Sequence, residues 1–396
     1  MRVIVIQADG MADEPIAELG GKTPLEAART PHLDRMASRG ILGLTRTVPR
    51  GLLPHSDVAT LSVLGYDPQR HASARAPLEA AALGIRLGPR DVAFRLDFVT
   101  VEAGDDGAER LVDCTGGGLT DEEGRALLAE LARVLAREGL AFHAESAHRH
   151  LLVWHGGEPG MRTTPPDEII GRPVAGFLPD GPGAPLLREL MDAARGVLAA
   201  HAICVGRRAR GERAPTDVWL WGHGRRVELP ALRERFGVDG SLLGADLVVR
   251  GVCLAAGLRV LDAPGPGAEV PRLLEALSDR DFALLHVKAP DACGHRGDVQ
   301  QKVAAIEVLD EQVVGPLLDG LRAAAGEWRL MVMPDHPTPC AQRRHTAEPV
   351  PFVVAVARDD AKPAGQTRAY HERDARELGI FIPEAHTLME RLLRPA

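Results

Sequence analysis

The sequence has no long apolar run, no closely spaced cysteine pair and no excess of positive charge. A membrane-spanning helix needs about 20 consecutive apolar residues, and no segment approaches that. The opening "MRVIVIQADG" is apolar over too short a stretch for the h-region of a secretory signal, roughly 7–15 residues. The five cysteines, Cys114, Cys204, Cys253, Cys293 and Cys340, are an odd number and lie far apart. They exclude a disulfide framework or a zinc ribbon and fit a reducing compartment. A formal net charge of -8 argues against a nucleic-acid binder, which carries a basic face. It leaves room for a local basic pocket that takes a small anion. There is no internal repeat and no low-complexity tail. The expectation is a cytoplasmic protein with no membrane or nucleic-acid partner.

With 396 residues, the chain is too long for one ordinary domain. A hydrophobic fraction of 45 % and a charged fraction of 26 % are those of a globular protein. Val3–Ile6 reads as a short buried strand ending in a turn with Asp9. "TPLEAARTPHLDRMASRG" reads as helix, interrupted at Pro31 and closed by Gly40. Beyond Pro68 the texture changes. "ARAPLEAAALGIRLGPRDVAFRLDFVTVE" carries strand-like segments, "DEEGRALLAELARVLAREGL" is an amphipathic helix, and residues 156–186 are rich in Pro and Gly. From about 216 strands and helices alternate, including one long helical pattern, "DVQQKVAAIEVLDEQVVGPLLDGLRAA". Alternation of this kind predicts an α/β fold with a mostly parallel sheet. The first strand belongs with this late group. The expected division is therefore a core over 1–69 and 241–396, with an inserted α+β domain over 70–240.

Three strand patterns end in carboxylates: Val3–Ile6 at Asp9, Phe282–Val287 at Asp291, and Leu330–Met333 at Asp335. In open α/β sheets, ligands bind beyond the carboxyl ends of the strands. Asp291 and His295 are four apart, so a helix there puts both on one face. Asp335 and His336 are adjacent, and His345 follows nine residues later. Mixed carboxylate and imidazole donors suit Mn²⁺, Zn²⁺ or Co²⁺. A pair of such ions suits phosphoryl transfer. His32, His71, His201 and His286 read as satisfied surface or loop residues. In "PHSDVATLSVLGYDP", Ser56 reads as the N-cap of a helix over 57–64. The same position offers a nucleophile at a helix N-terminus, where backbone N–H groups favour phosphate. Both readings stand on the residues.

Four segments carry a resemblance: "QADGMADEPIAELGGKTPLEAARTPHLDRMASRG", "PHSDVATLSVLGYDP", "HVKAPDACGHRGD" and "MPDHPTPCAQRRHTAEPVPF". In this order, over almost the whole chain, they resemble the archaeal-type cofactor-independent phosphoglycerate mutases of the alkaline phosphatase superfamily. The resemblance implies an alkaline-phosphatase-like three-layer core with an inserted substrate-binding domain. It implies two divalent metals, typically manganese with magnesium also possible, and a transiently phosphorylated serine at Ser56. By motif position, Asp291, His295 and His345 would hold one ion, and Asp9, Ser56, Asp335 and His336 the other. Asp57, Arg75, Asp113, Arg149, His150 and Arg225 would be candidates for contact with a small phosphorylated substrate.

The substrate half departs from the family pattern. "DCTGGGL" puts Gly118 where the family has arginine, "PPDEI" puts Asp167 where it has histidine, and "PGPGAE" replaces another usual segment. Lost Arg and His positions remove groups suited to a carboxylate or phosphate. "LWGHGR" is similar to a subgroup that includes proposed homoserine kinases. Mutase activity is therefore the first expectation. A homoserine kinase or a phosphatase on the same metal site is the alternative, and a non-catalytic binding protein the third.

Overall fold

The computed structural model describes residues 1–262, 267–324, 326–357 and 368–394. The "PGPGAE" segment lies partly outside these. The chain divides into two compact units, one of residues 1–72 with 229–396 and one of residues 73–228. In chain order the strands are β1 (Arg2–Ala8), β2 (Ile41–Thr45), β3 (Val92–Ala103), β4 (Glu109–Asp113), β5 (Leu140–Ser146), β6 (Arg149–Trp154) and β7 (Asp217–Gly224). There follow β8 (Gly240–Leu243), β9 (Arg259–Leu261), β10 (Phe282–Val287), β11 (Trp328–Met333), β12 (Val350–Val356) and β13 (Phe381–Ile382).

The first unit is built on an eight-stranded sheet in the order β13-β2-β12-β11-β1-β10-β8-β9. β12 pairs antiparallel with β11 and β2, whereas the other pairs are parallel. The fold is thus α/β with a mostly parallel sheet. β1 sits between β10 and β11, buried on both faces, which is why it reads as an unbroken β-branched run. Its alternate residues Ile4, Ile6 and Ala8 pack with Leu33, Met36, Leu273 and Leu317 from helices on one face. Gln7 points to the opposite face, where its side chain donates to Thr60 of the helix Ser56–Val63. Helices therefore cover both sides of the sheet.

The expected long helix is interrupted. Val299–Val308 and Gly315–Ala323 are α-helical, but Leu309–Val314 widens into a π turn. That turn places the Asp310 carboxylate where it accepts from the backbone N–H of His32 and Leu33. It thereby caps the helix Pro31–Arg39, whose own N-cap Thr30 makes no such bond.

The second unit has antiparallel strands in the order β4-β3-β6-β5, with β7 also paired to β3. Helices Asp121–Val134 and Ala184–Ala200 supply Leu127, Leu131, Leu187 and Leu198 to its core. The stretch expected to carry strand-like segments supplies β3, preceded by the helix Arg75–Ala82. Among the described residues no helix is long and apolar enough to cross a membrane.

Candidate metal and phosphoryl-transfer site

Strand register assembles the site. Ala8 of β1 is level with Val287 of β10, and Gln7 with Met333 of β11. The next positions bring Asp9, Lys288 and Asp335 side by side at the carboxyl edge of the three central strands. Asp9 and Asp335 are fully buried. Asp335 accepts from the backbone N–H of Gly10 and His336 and from Gln7 Nε2. Gly10 has φ +59, and a Cβ there would lie 2.8 Å from the Asp291 Cα. Glycine is what lets the turn after β1 approach this close.

The short helix Ala289–Arg296 follows β10 and presents Asp291 and His295 on one face. His345 arrives from the loop after β11. The Nε2 atoms of His295 and His345 lie 2.9 Å apart, with Asp291 Oδ1 3.4 and 3.3 Å from them. His295 Nδ1 is 3.0 Å from the Arg343 carbonyl oxygen, and His345 Nδ1 is 2.8 Å from that of Pro54. A carbonyl only accepts, so each Nδ1 carries a hydrogen, and the neutral form of each ring presents Nε2 as its acceptor. This tautomer is assigned from the hydrogen-bond network. Arg343, whose carbonyl holds His295, has φ +55, uncommon for a residue with a side chain.

His336 is oriented by the same logic. Thr338 Oγ1 donates to Asp291 Oδ1 at 2.6 Å, leaving its lone pair toward His336 Nδ1 at 3.4 Å. His336 Nε2 then faces Asp9 Oδ1 and Asp335 Oδ2, both at 3.5 Å, and Ser56 Oγ at 3.3 Å. Burial lowers the His336 pKa and keeps the imidazole neutral, and the His345 ring stacks on it. Burial raises the Asp9 pKa, but His286 and Lys288 outweigh it and hold the carboxylate ionised. Burial and the Asp9 charge push Asp335 upward.

Ser56 is the first residue of its helix, not the cap. His55 is the N-cap, with extended backbone and no side-chain cap bond. The Ser56 hydroxyl is thus not engaged in capping and turns to His336.

Among the described residues, three triads of donor atoms lie close enough to hold a cation: Asp291 with His295 and His345, Asp9 with His286 and Asp335, and Asp9 with Asp291 and His336. The donor chemistry fits divalent ions. The facing Nε2 atoms of His295 and His345, and the buried Asp9 Oδ1, which has no hydrogen-bond partner among the described residues, are what a cation would satisfy. His286, read from sequence as a surface or loop residue, corrects that reading: it is buried in β10 at 3.2 Å from Asp9 Oδ2. Lys288 was also missed, and its ammonium bridges Asp9 at 2.6 Å and Asp291 at 3.0 Å. Its place directly after a strand and three residues before Asp291 was the available signal.

The substrate candidates are more dispersed. Asp57 is buried in the first turn of its helix. Arg75 pairs with Glu79 at 3.0 Å. Glu79 is ion-paired with buried Arg95, which also meets Asp97 at 3.2 Å. Asp97 in turn accepts from Trp221 Nε1 at 2.7 Å. Sequence reading did not find this buried Glu79–Arg95–Asp97 network. His150 is fully buried, edge-on to Phe98, and burial lowers its pKa to about 4. Asp113 accepts from the Thr115 backbone and hydroxyl. Arg149 and Arg225 are exposed. Gly118 has φ +71, so an arginine there would be strained.

Comparison with known proteins agrees with this geometry. The profile described as 2,3-bisphosphoglycerate-independent phosphoglycerate mutase matches residues 37–204, and that of the metalloenzyme superfamily matches 266–385. A Geobacter sulfurreducens relative is 42% identical over 401 residues, covering 99% of this chain and 100% of its own. The Methanothrix thermoacetophila 2,3-bisphosphoglycerate-independent phosphoglycerate mutase is 39% identical, again over 99% of this chain and 100% of its own. A solved Pyrococcus horikoshii structure superposes with a TM-score of 0.80 at 28% identity, covering 99% of this chain and 97% of that one. The Thermoplasma acidophilum cofactor-independent phosphoglycerate mutase shares the fold, with a TM-score of 0.65 at 24% identity over 99% and 98% of the two chains. With near-complete relatives at this identity, the chain belongs to the 2,3-bisphosphoglycerate-independent phosphoglycerate mutase family.

Proposed function

We propose that the chain interconverts 3- and 2-phosphoglycerate by way of a phosphoserine at Ser56, as a cytoplasmic enzyme of glycolysis and gluconeogenesis. The observation that carries this is the Ser56 hydroxyl at a helix start, 3.3 Å from a neutral His336 Nε2 and beside buried Asp9 and Asp335. Asp291, His295 and His345 would hold one divalent ion; Asp9, Asp335, His336 and Ser56 the other, with His286 beside Asp9. The carboxylate and imidazole mixture suits Mn²⁺. When bound, such ions lower the pKa of a serine hydroxyl and offset charge on the phosphoryl oxygens.

The protein's own part is orientation and charge. Ser56 Oγ attacks phosphorus, and the bond from phosphorus to the substrate oxygen breaks. The leaving oxygen takes up a proton as the Ser56 proton is given up. The glycerate then presents its other hydroxyl, which attacks the phosphoserine and restores Ser56. The N-terminal end of the helix Ser56–Val63, with its positive dipole end, favours the phosphoryl charge. The substrate-binding candidates are Asp57 in the first unit and Arg75, Asp113, Arg149, His150 and Arg225 in the second.

An enolase-coupled assay with Mn²⁺ and no ATP tests the reading. Turnover that disappears in Ser56→Ala supports it. Turnover that needs ATP and homoserine, or release of phosphate without isomerisation, would replace mutase with kinase or phosphatase.

A further inference from the structure

Lys302 is fully buried in the helix Val299–Val308. A buried ammonium is costly unless every N–H finds an acceptor. Lys302 Nζ has three: Asp13 Oδ2 at 2.8 Å, the Thr338 carbonyl at 2.9 Å and the Ala12 carbonyl at 3.2 Å. Asp13 Oδ2 also accepts from the Cys340 N–H, and the Thr338 N–H donates back to Ala12.

These acceptors come from two loops. Ala12 and Asp13 continue the turn that carries Asp9. Thr338 and Cys340 continue the one that carries Asp335 and His336. Thr338 extends the chain of bonds to Asp291 through its hydroxyl. Without Lys302, three carbonyl or carboxylate oxygens would face one another in a buried space.

We propose that Lys302 is a positioning residue: through Asp13 and Thr338 its ammonium fixes the separation of the three segments that bear the cation ligands. The inference rests on the metal-site reading above. A buried ion pair contributes little net stability compared with an apolar pair of the same size. The effect of this one therefore falls on the geometry of the ligands, which touch none of its atoms directly.

The test is calorimetric titration of Mn²⁺ into the chelator-stripped full chain, with thermal unfolding of the same stripped samples. Lys302→Met leaves Asp13 buried and unpaired, so the deciding variant is Asp13→Asn/Lys302→Met. It should unfold close to the parent temperature without metal, yet bind Mn²⁺ about 10–100-fold more weakly, the scale of lost outer-shell support. Its kcat should recover toward the parent value as Mn²⁺ is raised. A folded double variant binding Mn²⁺ within about twofold of the parent overturns the proposal, as does failure of both variants to fold. A parent that takes up no Mn²⁺ contradicts the metal-site reading instead.

Discussion

His295 Nε2 and His345 Nε2 face each other at 2.9 Å, each ring fixed by an Nδ1 hydrogen donated to a backbone carbonyl. The carbonyls belong to Arg343 and Pro54, the latter two residues before Ser56. Folding of the loop that carries Ser56 and orientation of a histidine more than 280 positions away are thus one event. Two Nε2 atoms at this distance, with the Asp291 carboxylate beside them, are a candidate ligand set for one ion.

His345→Ala removes one of the facing donors. Mn²⁺ affinity should fall by more than the about 10–100-fold typical of second-shell losses. Titration calorimetry checks this, and unchanged affinity would take His345 out of the ligand set.

A pH-dependent term should come from Glu372, away from the ligands. Glu372 is buried, Oε2 lying 2.7 Å from Thr23 Oγ1 and Oε1 accepting from the Asp13 N–H. Burial pushes its carboxyl up to about 7, from 4.5 when exposed. The folded state therefore keeps a proton that the unfolded chain has already lost. Its contribution to stability is fully present below pH 4.5 and is lost as pH rises through about 7. Glu372→Gln copies the protonated form. At pH 8 it should be more stable than the parent by up to about 3 kcal/mol. The difference should vanish near pH 4, as read by denaturant unfolding across that range.

Asp310 should matter for stability and not for chemistry. Asp310→Ala strips two helix-start N–H groups of their acceptor, at distances of 3.1 and 2.8 Å. The expected loss is about 1–3 kcal/mol in urea unfolding, with kcat at saturating Mn²⁺ unchanged.

Asp9, Asp291, Asp335 and the flanking histidines could be read from sequence because each ends an apolar run at a turn, where a carboxylate has little packing role. What could not be read was set by register and by distant partners. His286 sits inside "FALLHV", whose hydrophobic pattern hides that the strand ends beside Asp9. The run "VPFVVAV" is the same whether its strand is parallel or antiparallel, so the reversal of β12 left no mark. Ser56 lies one position inside its helix, a difference that decides whether its hydroxyl caps the backbone or faces His336. The interruption at Leu309–Val314 depends on Asp310 reaching a helix 278 positions earlier. Arg95, Glu79 and Asp97 declare themselves only once β3 and the helix Arg75–Ala82 are packed together.

The most direct test of the central claim is to mix the Mn²⁺-loaded chain with ³²P-labelled 3-phosphoglycerate, quench it in acid and map the label. The account predicts one labelled peptide, phosphorylated on Ser56, that disappears in Ser56→Ala together with mutase turnover. Label on another residue, or full turnover by Ser56→Ala, would contradict it.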